Sequence, residues 1–249
     1  MNLKLALYSA IAPTCGLFLS TGLIGFQSLV AAQPVSDAAL DNFLGQPPGT
    51  IDGLGNGNAT EGSAIKQTFS ASAGQSVTLD WNFLTNEFTP NTPFNDFAFV
   101  SVRPLGGTST LADTNSRFPL LGNNNRFNSE TGYNTFSYQI PTTGTYTIGL
   151  GVVDVEDRIV SSGLLVDNVN VGTNGGFETG DFSGWETIGN TSVVDSNFGI
   201  DPTEGNSQAY LATVPEPSTI LGSMMVLGAG TLLKRTAKCK SGKVKERIG

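Results

Sequence analysis

The chain has 249 residues, enough for one large domain or two small ones. Thirty-one glycines and fifteen phenylalanines beside only 14% charged residues argue against a coiled coil or a charge-rich disordered chain. Histidine is absent, which excludes imidazole catalysis. Between Gln33 and Val214 five basic residues stand against 19 acidic ones, a net charge of −14, which is unsuited to gripping phosphate backbones and argues against a nucleic-acid partner.

Residues 1–32 open with Lys4, run through a mostly apolar stretch, and end Leu29-Val30-Ala31-Ala32. Small residues at Val30 and Ala32 predict a signal-peptidase cut after Ala32. An uncleaved anchor is the alternative. Pro13, Thr14, Cys15 and the glycines that interrupt the stretch favour cleavage.

Gln33 to Thr213 reads as one body. Asp37 to Phe43 is the one helical segment, with Ser36 as its N-cap. Ser63 to Ala71 is predicted to pair with Gln75 to Leu84 across a turn at Ala73-Gly74-Gln75. In the second strand Val77, Leu79, Trp81 and Phe83 alternate with polar residues, so one face is buried and Trp81 is core. Asp96 to Arg103 is apolar on both faces and is expected to be central. Thr135 to Ile140, a turn at Pro141 to Gly144, and an alternating run through Tyr146, Ile148, Leu150 and Val152 follow. Gly163 to Val171, Thr187 to Val194 and Ser207 to Thr213 complete about eight strands. The expected fold is an all-β sandwich, most simply a jelly roll.

Phe88 to Phe94 and Asp113 to Gly132 are predicted loops, the second with its tip at Asn123-Asn124-Asn125. Phe88, Phe94, Phe118, Phe127 and Tyr133 lie in or beside them. Such aromatics either stack on sugar rings or plug the ends of the sandwich. Phe88, Phe94 and Tyr133 are the candidate glycan contacts. Asp154, Glu156 and Asp157 form an acidic cluster after a strand, either a solvated loop or a cation site. By period two Asp167 shares a face with Leu165, Val169 and Val171, so its carboxylate points inward. It then needs a partner: backbone N–H donors near the strand end, or a metal.

Asn174-Gly175-Gly176-Phe177-Glu178-Thr179-Gly180, followed by Trp185, resembles the first strand of galactose-binding-like jelly rolls, which include several carbohydrate-binding module families. Residues 163–171 resemble the last strand of that fold. The resemblance implies a structural Ca²⁺ held by Glu178 and Asp167 with backbone carbonyls, a hard-oxygen set suited to calcium. It also implies that Trp185 packs in the core. Here the closing segment precedes the opening one. The expectation is therefore a single circularly permuted domain over 33–213, in which 174–213 supply the opening strands beside main strands within 63–171. First and last strands of such a sandwich are neighbours, and the new termini would fall at a surface loop. A truncated second domain, left as a stalk, is the alternative.

The C-terminus reads Pro215-Glu216-Pro217, then a charge-free run over 218–233, then Lys234, Arg235, Lys238, Lys240, Lys243, Lys245 and Arg247. As a helix the run would span roughly 24 Å against a ~30 Å hydrocarbon core, with the basic residues on the cytoplasmic side. This order resembles the PEP-CTERM sorting signal of bacterial surface proteins. The resemblance implies recognition and processing by an exosortase near Pro215-Glu216-Pro217, after transient anchoring in the inner membrane. It also implies a bacterium that makes exopolysaccharide.

No nucleophile–base pair can be assembled, because Cys15 and Cys239 both lie in the terminal segments and histidine is absent. The expected function is a non-enzymatic, exported protein of the cell surface or extracellular matrix. A carbohydrate-binding module with a defined glycan is the second reading, and a two-carboxylate glycan-processing enzyme the third.

Overall fold

The computed structural model describes residues 32–121 and 126–213. The expected signal peptide up to Ala31, the Asn123-Asn124-Asn125 tip, Pro215-Glu216-Pro217, the apolar run and the basic cluster lie outside the described residues.

Among the described residues two antiparallel sheets pack face to face. In chain order the elements are β1 (Val35–Ser36), α1 (Asp37–Phe43), β2 (Ala59–Ala71), β3 (Ser76–Thr85), β4 (Phe97–Arg103), β5 (Gly107–Asp113), β6 (Leu120–Leu121) and β7 (Ser129–Glu130). They continue with β8 (Asn134–Gln139), β9 (Gly144–Val155), β10 (Ser162–Asp167), β11 (Glu186–Ile188), β12 (Asn190–Val194) and β13 (Gln208–Ala212). The first sheet runs β1-β2-β9-β4-β5, with β11 also paired to β2. The second runs β12-β13-β10-β3-β7-β6, with β8 also on β3. Residues 186–212 thus pair into both sheets, on β2 and on β10.

Alternation builds the core. Ile65, Val100, Ile148, Leu150 and Val152 of the first sheet meet Val77, Leu79, Trp81, Phe83, Leu164, Val166 and Leu211 of the second. Burial of each such side chain contributes on the order of 1.5–3 kcal/mol. β4 is apolar on both faces because both are covered: Ala98, Val100 and Val102 face the second sheet, and Phe97 and Phe99 pack outward beneath α1. Leu40 and Leu44 close that outer layer.

A seven-residue helix does not persist alone, so α1 depends on docking and caps. The Ser36 hydroxyl accepts the Ala39 N–H. The Lys66 ammonium donates to the Phe43 carbonyl at 2.8 Å, close to the C-terminal end. Asp41, buried, accepts N–H bonds from Gly49, Thr50 and Ile51 and so holds the loop that follows.

One pairing and several boundaries differ from expectation: β2 and β3, expected to pair across the turn at Ala73-Gly74-Gln75, lie in different sheets. β5 was not predicted, because Gly107-Thr108-Ser109-Thr110 is polar and forms a half-exposed edge. The predicted loop from Asp113 to Gly132 contains β6 and β7. The strand predicted over Thr187 to Val194 divides at Gly189, where φ is +83° and β11 on one sheet gives way to β12 on the other. The strand predicted to Val171 stops at Asp167, because Asn168 adopts φ +52°.

Candidate functional site

The facing of β10 decides where Asp167 points, and the stop at Asn168 decides where Val169 and Val171 go. Leu164 and Val166 face the inter-sheet core, while Leu165 joins Phe127, Phe198 and Tyr210 on the outer face of the second sheet. Asp167 alternates with Val166 and so lies on Leu165's side. Val169 and Val171, expected on that same side, pack into the inter-sheet core instead. The reversed φ at Asn168 breaks the period of two. The Asp167 carboxylate is fully buried nonetheless, because the loop before β13 folds over it.

Asp167 Oδ2 accepts the N–H of Thr203 at 2.7 Å, the Thr203 hydroxyl at 3.1 Å and the N–H of Glu204 at 2.8 Å. Its Oδ1 accepts the N–H of Asn168 at 2.7 Å. Burial pushes the carboxyl above the ordinary aspartate range, and these donors pull it back.

Glu178 approaches from the Asn174–Trp185 segment. Phe177, fully buried at φ +56°, anchors that segment between Phe182 and Trp185, at 5.9 and 5.4 Å between ring centres. The Trp185 indole donates to the Asn174 carbonyl at 3.2 Å, and its ring is buried as expected. Exposed Glu178 then reaches the same loop that Asp167 holds, and its Oε1 accepts the N–H groups of Asn206 and Ser207, both at 2.8 Å.

A third carboxylate joins them. A Cβ placed on Gly176 would lie 3.4 Å from Glu204 Oε2 and 3.7 Å from both Asp167 Oδ1 and Glu178 Cγ. Glu204 was not singled out by sequence, since it sits in a polar loop with no periodicity. Among the described residues no lysine or arginine forms an ion pair with any of the three. Nor does any group of three or more Asp, Glu, His or Cys among the described residues close into a metal-ligand set.

The acidic cluster of 154–157 is dispersed. Glu156, at φ +69°, is exposed, and its carboxylate accepts the Asn58 N–H at 3.4 Å. Asp157 accepts the Ile159 N–H within its own loop. Asp154 turns inward and is fully buried.

The loop aromatics divide. Phe127 is buried edge-on to Tyr210, and Phe118 packs 6.2 Å from Phe83. Tyr133 is half-buried and its hydroxyl donates to Gln208 Oε1. Burial pushes its phenol up, and the nearby carboxylates, Asp167 first among them, add to this. Phe88 is 87% exposed and Phe94 37%. Separately, Trp81, Leu111, Ser116, Arg117, Thr131 and Asn134 line an open cleft of about 480 Å³. The alternating pattern marks Trp81 as core, which it is, and nothing in it signals that Trp81 also borders a cleft with Arg117 and Asn134.

No protein-family model matches the chain, and neither does any curated protein or solved structure.

Proposed function

We propose that this chain is a non-enzymatic exported protein that contributes structurally or adhesively to an exopolysaccharide-rich envelope or biofilm matrix. In this reading signal peptidase removes residues 1–32. The tail holds the protein in the inner membrane, and an exosortase then processes it at Pro215-Glu216-Pro217. The observation that carries the structural role is the packing of the loop aromatics. Phe118 packs against the inter-sheet core, and Phe127 and Tyr133 pack on the outer face of the second sheet, so none of the three presents a stacking platform.

The finer fold in this reading is a permuted jelly roll. Its support is that β11, β12 and β13 complete both sheets and that Glu178 and Asp167 meet at one loop. A structural Ca²⁺ belongs to the same reading, with Asp167 and Glu178 joined by Glu204. The Glu204 and Asp167 oxygens beside Gly176, with the Glu178 stem at the same glycine and no cationic partner among the described residues, support it.

A second reading, a carbohydrate-binding module, is favoured by one observation: the cleft of Trp81, Arg117 and Asn134 offers an aromatic residue beside hydrogen-bonding groups. A glycan array, probed with and without calcium, separates the two. The structural reading expects no discrete glycan. One strong hit, lost in Arg117→Ala, would replace it with the second.

A further inference from the structure

One end of the sandwich is polar inside. Along β9 the inward positions run Ile148, Leu150, Val152 and then Asp154. Asp154 is 0% exposed, and neither of its carboxylate oxygens has a hydrogen-bond partner. Asp96, immediately before β4, is 1% exposed and faces it. Asp96 Oδ1 accepts the Val155 N–H at 2.9 Å, and Oδ2 accepts the Ser162 hydroxyl at 2.6 Å. Glu87, just past β3, is buried as well, with Oε1 unpartnered and Oε2 bound by the Asn91 amide. Glu87 acts electrostatically on Asp96, and Asp96 and Glu61 on Asp154.

The surrounding cation is committed elsewhere. Arg158 pairs with Glu61 at 3.4 Å and is itself mostly exposed. Three buried carboxylate oxygens therefore have neither a donor nor a counter-ion among the described residues. An unpaired buried carboxylate is too costly to persist, so the site must take up protons or a cation. The groups that act on Asp154 are oxygen ligands: the Asp96 carboxylate, the Thr213 hydroxyl, which also bonds the Ser162 backbone, and Glu61, with the Ser162 hydroxyl bound to Asp96. Oxygen-only sets suit hard divalent ions. Calcium accepts six to eight such ligands, and carbonyls, hydroxyls and water complete what carboxylates begin.

We propose that Asp154 and Asp96 hold a calcium ion at this end of the sandwich. It would tie β9 and β4 of the first sheet to β10 and β13 of the second, through Ser162 and Thr213. The site shares no residue with the Asp167 loop, which lies at the other end of β10.

The test counts ions. The detergent-solubilised full chain is stripped with chelator, dialysed against CaCl₂, and its bound calcium and melting temperature are measured for the unmutated protein, Asp154→Asn and Asp167→Asn. The expected result is that Asp154→Asn loses one ion per chain and calcium no longer raises its melting temperature through this site. Asp167→Asn should keep that ion. If Asp154→Asn binds as many ions as the unmutated protein, or if Asp167→Asn retains none, the proposal is overturned. A variant that melts higher than the unmutated protein with an unchanged ion count would show that the pair holds a proton instead. Asp96→Asn gives the same reading where Asp154→Asn does not fold. The Asp167→Asn arm also keeps failure here separate from failure of calcium at the other end.

Discussion

Asp167 and Glu178 clamp one loop from two sides: Asp167 takes the N–H groups of Thr203 and Glu204, and Glu178 those of Asn206 and Ser207. Asp167→Ala would orphan three backbone donors, two of them in that loop, and remove the charge they surround. The expected cost is about 2–4 kcal/mol in urea denaturation, since buried donors left unsatisfied cost on the order of 1–3 kcal/mol. Exposed Glu178→Ala should cost less, about 1 kcal/mol, because water can reach the freed N–H groups. Equal effects would contradict this account of the clamp.

Stability of the metal-free protein should fall as pH rises from ~4 to about 9. Burial first pushes both Asp96 and Asp154 up, the Asp96 charge raising Asp154 and the Glu87 charge raising Asp96, with protons leaving near about 7 and about 9. In the unfolded chain both carboxyls titrate near ~4. From there upward the folded state holds more protons than the unfolded one, so stability declines with pH and is lost through the upper window. Glu87, raised first by burial and further by the charge of Asp157, acts in the same direction, and Arg158 is paired with Glu61. Melting temperatures measured in chelator from pH 5 to pH 9 should drop. Asp154→Asn should flatten the profile, and a rising profile would refute the assignment.

Gly62 in β2 lies against β9 so closely that a Cβ would overlap the Val152 carbonyl oxygen. The two strands form the longest ladder of the fold. Gly62→Ala should therefore cost about 3 kcal/mol by overpacking, although it adds one methyl. A loss below 1 kcal/mol would mean the ladder can shift to make room.

Phe88 carries no packing duty, so Phe88→Ala should leave thermal stability within about 0.5 kcal/mol. If the protein does bind a glycan, Arg117→Ala should weaken binding at the cleft. A loss of binding in Phe88→Ala alone would move the contact to the loop. Titration against arrayed glycans distinguishes these outcomes.

Processing at both ends is checked by mass spectrometry of the surface fraction. The mature chain should start near Gln33 and yield no peptides beyond Pro217. Intact tail peptides in that fraction would refute exosortase processing.

The sequence by itself determined the class of the fold. The alternation through Val77, Leu79, Trp81 and Phe83 has only one solution with a buried face, and the doubly apolar Phe97 to Val102 stretch fits only a covered central strand. The α1 helix was legible in full, because its cap and its apolar face are local. What tertiary structure decided was every feature made by residues distant in sequence. Asp167 lies on the outer face with Leu165, whereas the reversed φ at Asn168, which no periodicity reveals, returns Val169 and Val171 to the core. Glu204 reaches Gly176 only because the loop before β13 folds back over β10. Asp154 reads as one acid among three in a loop, yet it faces Asp96, far away along the chain, because β4 and β9 pair with Phe97 opposite Val153. Local pattern fixes which side of a strand is buried. It does not fix which buried carboxylates meet, since that depends on register and on what each loop covers.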